Sequence, residues 1–238
     1  MNADFSFGKL QRKKLIALVL CMALALPTLP VFGATDGGTG TLTKQEITAD
    51  AKAAQIYATL IYRNAYTGKA VKPKVKVSDI RTGKKISSKN YTVTYGVFNS
   101  KGKFVKKTPK EIGAYAVKIT FKGAYKKHPV IYSDFEIVPK KAAVSSVSGK
   151  KKTMTVKWKK AGKSQATYYE IAYSTNKNFG NEKVVSSKKG ASSATIKLKK
   201  NTTYYVKIRA VKEIKITSSY TQRFVGDWST AKKVTVKK

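Results

Sequence analysis

From Ile47 to the end of the chain, apolar and polar residues alternate in short runs, broken by turn residues roughly every 8–15 positions. Side chains of a strand point alternately to opposite faces, so a period of two marks a half-buried strand. In the first half, Ile56 to Tyr62 reads as one strand. Lys72 to Val77 reads as a second, with Pro73 near its start, where a missing N–H is tolerated. Tyr91 to Tyr95 alternates cleanly, and Asn99-Ser100-Lys101-Gly102 reads as a turn. Tyr115, Val117, Ile119 and Phe121 share one face of a further strand, and Val130 to Ile137 closes this half. Val138-Pro139-Lys140-Lys141 then reads as a short, stiff linker.

The second half carries the cleaner period. Met154, Val156 and Trp158 fall on one face, and Tyr169, Ile171 and Tyr173 on one face of the next strand. Ile196 and Leu198 follow, then Tyr204, Val206, Ile208 and Ala210, then Val234 and Val236. The predicted core of this half is Trp158, Tyr169, Ile171, Leu198, Tyr204, Val206 and Ile208. The intervening positions are mostly Lys, Thr and Ser. The spacing predicts an all-β chain of sandwich or barrel type.

The first 33 residues break this pattern. Lys9, Arg12, Lys13 and Lys14 precede a 12-residue apolar run from Leu15 to Leu26, and Val31-Phe32-Gly33 precedes Ala34. A basic stretch, an apolar core and a small-residue site read as a helical signal peptide over 1–33, cleaved before Ala34. The apolar run is short for a membrane span, and Pro27 and Pro30 interrupt its end. No membrane span is expected after cleavage. Residues 34–46 (ATDGGTGTLTKQE) read as a flexible leader. The single cysteine, Cys21, lies within the apolar run behind Leu20, which is too large for a lipidation site. The mature chain therefore has no disulfide, thiolate metal site or cysteine nucleophile. An exported chain without disulfides fits a bacterium.

Charge narrows the function classes. Lys plus Arg number 49 against 12 Asp plus Glu, a formal net charge of +37. Loss of residues 1–33 removes four basic residues and Asp4, leaving +34. Only Arg12, Arg63, Arg81, Arg209 and Arg223 are arginine. Arg presents a planar fork to phosphate and carboxylate, whereas Lys is a hydrated point charge. The balance implies diffuse attraction to polyanions. The export signal, the scarcity of Arg and the lack of a recognised motif argue against nucleic acid as the partner. The expected polyanions are anionic cell-wall polymers or glycans.

The second half resembles a fibronectin type III domain. The residues that carry the resemblance are Met154-x-Val156-x-Trp158, Tyr169-x-Ile171-x-Tyr173 and Leu198-x5-Tyr204-x-Val206-x-Ile208-x-Ala210. Gly226-Asp227-Trp228-Ser229 resembles the Trp-Ser of many bacterial copies. The resemblance spans about residues 142–238 and implies that Tyr204 is the tyrosine corner, its hydroxyl bonded back to nearby backbone. One departure is the segment Lys212 to Val225, which predicts an extended hairpin through Ile214, Ile216, Phe224 and Val225. The first half, about 47–139, resembles the small Ig-like repeats of Gram-positive surface proteins. It does so through Tyr66-Thr-Gly-Lys-Ala-Val-Lys-Pro73, Tyr91 to Tyr95, the alternating run from Gly113 to Tyr125, and Phe135-x-Ile137. The resemblance implies two tandem antiparallel β-sandwiches, Ig-like then fibronectin type III, serving as spacers, adhesion units or binding modules.

Catalytic constellations are not expected. His128 is the only histidine, so a histidine metal triad is excluded. Its pairing with Asp134 in a Ser-His-Asp arrangement is less economical than a solvated loop histidine. Glu170 and Glu182 are the nearest acid pair, and neutralising neighbouring lysines is the simpler role for them. There is no Gly-rich phosphate loop or EF-hand ladder, and no metal or cofactor is expected. One face remains. If Tyr169 and Tyr204 point inward, then Tyr168 and Tyr205 point outward beside Lys207 and Arg209. That would give exposed aromatics rimmed by cations, suited to stacking on sugar rings. The plainer reading, a cross-strand tyrosine pair that stabilises the sheet, is preferred. The expected protein is thus a non-enzymatic, exported cell-surface structural or adhesion module, held to the anionic envelope by charge. No sorting signal follows Lys238, so retention is expected to be non-covalent, or the protein is released. The alternative is an accessory carbohydrate-binding protein using the tyrosine face.

Overall fold

The computed structural model describes residues 56–80 and 82–237. The predicted signal peptide, the leader and residues 47–55 lie outside them. The described chain is all β, with two single-turn 3-10 segments at Ser88–Asn90 and Gly123–Tyr125. Its strands are β1 (Ile56–Thr59), β2 (Arg63–Ala65), β3 (Lys76–Asp79), β4 (Tyr91–Phe98), β5 (Phe104–Lys106), β6 (Gly113–Phe121) and β7 (Ile131–Val138). They continue as β8 (Val144–Lys150), β9 (Thr153–Trp158), β10 (Tyr168–Ser174), β11 (Lys183–Ser186), β12 (Ser193–Lys197), β13 (Thr202–Lys215), β14 (Thr221–Val225) and β15 (Lys232–Val236).

In the N-terminal half, β1 pairs with β3, and a five-stranded sheet has the order β2-β7-β6-β4-β5. One pairing departs from the all-antiparallel expectation: β2 runs parallel to β7, with Asn64 opposite Ile137. The expected strand Ile56 to Tyr62 stops at Thr59, and the chain re-enters a sheet at Arg63. The run at Lys72 to Val77 forms β3 only from Lys76. Pro73 stands before it, offering its carbonyl to the Tyr95 hydroxyl at 2.7 Å. The Asn99–Gly102 turn forms as expected. Asn99 Oδ1 accepts from the N–H groups of Lys101 and Lys103, and Gly102 takes the left-handed φ of 73°.

By contact, the described residues form two compact units that do not follow chain order. One holds residues 56–61, 73–107 and 116–134; the other holds 62–72, 108–115 and 135–237. In the first, Val77, Ile86, Tyr91, Val117, Ile119 and Phe121 are buried, and Phe98, Phe104 and Tyr132 meet at 5.2–5.7 Å between ring centres. In the second, two sheets face each other, β12-β9-β8 and β11-β10-β13-β14 with β15 against β13. Their inner faces enclose Met154, Val156, Trp158, Tyr169, Ile171, Tyr204, Val206 and Ile208, with Leu198 partly buried against them. Every residue of the predicted core thus faces this interior. Gly149 marks where β8 meets β15, since a Cβ there would lie 2.0 Å from the Thr235 carbonyl oxygen. The β13–β14 hairpin extends to Lys215 opposite Thr221, as the long 212–225 segment predicts, and leaves Ile216 in the turn.

Candidate ligand face on the second unit

The sequence places Tyr168, Tyr205, Lys207 and Arg209 on one outer face, and the strand parity holds. The register, however, separates the tyrosines. Tyr168 lies opposite Val211, and Tyr205 lies opposite Ser174 at the other end of the same strand pair. Six positions of strand between them amount to about 20 Å. The expected tyrosine pair does not form, because parity fixes a side chain's face and leaves its position along the strand open. No sugar ring can be sandwiched by two rings so far apart.

The space between them is filled by ionic and aromatic contacts. Arg209 stands directly opposite Glu170, which is only 7% exposed. Arg209 Nε donates to Glu170 Oε2 at 2.7 Å. Arg223, from β14, donates to the other carboxylate oxygen. One buried carboxylate thus holds two guanidinium groups, whose planar, delocalised donors suit a fixed and largely desolvated geometry better than an ammonium does. Lys207 Nζ lies 2.7 Å from Glu182 Oε2 and sits over the Phe179 ring at 3.9 Å. Trp228 covers the same row, 4.2 Å from the Arg209 guanidinium and 5.0 Å from the Lys207 ammonium.

Trp228 is positioned by its neighbour. Ser229 N–H donates to the Ile208 carbonyl at 2.7 Å, and Ile208 N–H donates to Ser229 Oγ at 3.0 Å. The Trp-Ser dipeptide is thereby stitched to β13 with the indole lying across its outer side chains. Cation–π contacts of this kind contribute about 0.5–2 kcal/mol each. The cations of the candidate face are therefore held by partners within the chain. Sequence reading missed Phe179, Arg223 and the Trp228 overlay. Parity alone could have found Glu170, since it shares the outer face with Tyr168 two residues away. The partners of Glu170 are arginines where lysines were expected.

His128 packs edge-on against Phe121, 4.7 Å between ring centres, and Nδ1 lies 2.9 Å from the Pro129 carbonyl oxygen. Burial raises the Asp134 carboxyl above its ordinary value. Among the described residues no three His, Cys, Asp or Glu side chains cluster as a metal site, and no helix is long and apolar enough to cross a membrane. The tyrosine-corner expectation needs correction. Tyr204 is buried against Tyr173, but its hydroxyl makes no hydrogen bond to backbone among the described residues. The tyrosine that does so in this core is Tyr169, whose hydroxyl accepts from Ala161 N–H at 2.7 Å.

Residues 139–224 match the fibronectin type III domain model. β15, beyond that match, completes the sheet by pairing with β13. No curated protein matches the chain. Among solved structures, a myokine structure is similar at 14% identity and a TM-score of 0.32, covering 42% of this chain and 99% of that one. The FN1–FN3 domains of chicken CNTN1 are similar at 15% identity and a TM-score of 0.37, covering 76% of this chain and 66% of that one. The chicken interferon gamma receptor alpha chain is similar at 11% identity and a TM-score of 0.38, covering 76% and 97%.

Proposed function

We propose that this chain is an exported, non-catalytic binding module that associates with anionic polymers of a bacterial cell envelope through its lysine surface. The observation that carries this reading is the pairing of charges. Among the described residues Glu170, Glu182, Glu213 and Asp227 are held in ion pairs by Arg209, Arg223, Lys207, Lys189 and Arg63. Only two lysines are used in this way, and no described lysine is buried. The other described lysines enter no ion pair among the described residues, and most of them are exposed. Such a surface attracts polyanions broadly and adds little to fold stability. A fibronectin type III domain is consistent with a structural or binding module.

Co-sedimentation with anionic cell-wall material at several salt concentrations tests the proposal. Binding is expected at low ionic strength, weaker binding near 0.15 M, where the Debye length is about 8 Å, and loss near 1 M, where it is about 3 Å. Binding that persists unchanged near 1 M salt would overturn the electrostatic reading.

A further inference from the structure

One end of the second unit's sandwich holds an open cavity of about 960 Å³. Five lysines line it: Lys151, Lys152, Lys183, Lys197 and Lys199. No carboxylate lines it. The nearest acid in sequence, Glu182, sits between Asn181 and Lys183, which both face the cavity, but it is turned away to Lys207. Tyr173 and Tyr204 also line it, and neither hydroxyl bonds to another group of the described chain. Their rings are buried in the core, so only their rims reach the space.

The walls are fixed. Leu198 N–H donates to the Lys152 carbonyl at 2.8 Å, tying the β8–β9 turn to the end of β12 and bringing two lysine-bearing segments together. Ser174 Oγ donates to the Gly180 carbonyl at 2.7 Å and braces the β10–β11 loop. Lys152 and Asn181 both hold left-handed backbone, each at a φ of 54°. Like charges gathered without a counter-charge repel one another, and a bound anion would offset that repulsion.

We propose that this cavity is a saturable site for a phosphate-bearing polyol chain. Its volume lies near the upper end of ligand pockets, roughly 300–1,000 Å³, and exceeds what a single oxyanion fills. Lys meets phosphate as a point charge, and five lysines with no carboxylate among them give the cavity the sign and the number of cations to hold successive phosphates of one chain. Thr153, Thr202, Asn181 and the two tyrosine hydroxyls offer neutral partners for the hydroxyls of the carbon chain. This inference rests on the polyanion reading for the sign of the ligand and adds a defined location and stoichiometry. The same chemistry occurs in a soluble poly(glycerol phosphate) and in a phosphatidylglycerol headgroup.

Calorimetric titration of the full-length chain with short poly(glycerol phosphate) near 0.15 M salt tests it. One-to-one saturation is expected. The double variant K197E/K199E is expected to weaken binding at least about tenfold, and the control K140E/K141E, which carries the same charge change, less than about twofold. K197Q/K199Q should weaken it in the same direction by a smaller step, and Y173F/Y204F by about threefold with the salt dependence unchanged. Thermal melts of each variant establish that it is folded. Equal losses from K197E/K199E and K140E/K141E would overturn the site and leave the diffuse polyanion reading standing. No binding by the wild type even at low salt would overturn both. Polyglutamate or a sulfated glycan binding as tightly would overturn the phosphate assignment. Phosphatidylglycerol vesicles bound with the same K197E/K199E sensitivity would support the site with a membrane source, and the soluble polymer bound alone would support it with a polymer source.

Discussion

Two cationic regions of the second unit look alike in composition and differ in every contact. On the face of β10, β13 and β14, Lys207, Arg209 and Arg223 each meet a carboxylate, and Lys207 and Arg209 lie under Trp228. Around the end cavity, five lysines have no ion-pair partner among the described residues. Net charge therefore does not locate a binding site in this molecule; the charge left after internal pairing does. The division follows side-chain chemistry. Arg63, Arg209 and Arg223 all serve in ion pairs, two of them on one buried carboxylate, where a planar fork can satisfy fixed geometry. Lysine, strongly hydrated and flexible, enters only two such pairs among the described residues, through Lys207 and Lys189.

The largest expected effect should strike both regions together. Trp158 is 3% exposed and packs on Tyr169 at 5.0 Å between ring centres. Trp158→Ala should cost about 3–5 kcal/mol in urea unfolding, a large share of the stability of a small domain. The indole Nε1 is buried with no acceptor among the described residues. Trp158→Phe should therefore cost less than its lost volume suggests, because it also removes an unsatisfied donor worth about 1–3 kcal/mol. A Trp158→Ala protein that melted like its parent would break the claim that one core supports both regions.

The next test separates them. Glu170→Gln leaves Arg209 and Arg223 facing a neutral amide in a half-buried setting. About 1–3 kcal/mol should be lost, less than for a fully buried pair because both guanidinium groups reach solvent. Lys197→Gln at the cavity should change stability by no more than about 0.5 kcal/mol and raise it slightly if the lysines repel one another. Equal costs at the two positions would erase the distinction.

A carboxylate in the other unit sharpens it further. Asp134 is half-buried without a cation, and burial raises its pKa. Folding therefore disfavours its charged form. The penalty is present at pH above the folded-state pKa and is relieved as pH falls below the unfolded value. Asp134→Asn should raise the melting temperature at pH 7, and the gain should fade on acidification through the carboxylate range. A gain that stayed constant with pH would show that ionisation is not its cause.

These contrasts also show what alternation could reveal. The period of two in Met154 to Trp158, Tyr169 to Tyr173 and Tyr204 to Ala210 specified the inner face, since burial acts on every second residue of a strand. Strands with few large apolar residues were not legible: β8 (VSSVSGK), β11 (KVVS) and β5 (FVK) are fixed by pairing with the more regularly patterned β9, β10 and β4. The parallel β2–β7 pairing was hidden for the same reason, because three residues carry no directional signal. The outer face was half legible. Parity put Tyr168 and Tyr205 on it, but register depends on contacts between strands and set them far apart. The cavity lysines had no signal, because they come from the β8–β9 turn, the start of β11 and the end of β12, which only the folded sandwich brings together.

The smallest expected effect concerns which tyrosine anchors this core through its hydroxyl. Family position points to Tyr204, whereas the hydroxyl–backbone bond belongs to Tyr169, which accepts from Ala161 N–H at 2.7 Å. A phenylalanine keeps the ring and removes only that oxygen. Tyr169→Phe should cost about 0.5–1.5 kcal/mol, since the Ala161 N–H then loses its acceptor in a partly buried position. Tyr204→Phe should change stability by less than about 0.5 kcal/mol, because its ring contact with Tyr173 survives and no internal hydrogen bond is lost. Parallel urea titrations of the two variants measure the difference directly. The same Tyr204→Phe protein, stable but slightly weaker for poly(glycerol phosphate), would tie the Tyr204 hydroxyl to the cavity and not to the fold. If Tyr204→Phe proved the more costly of the two, the hydroxyl would be a structural anchor after all, and the contrast between a paired face and an unpaired cavity would lose one of its members.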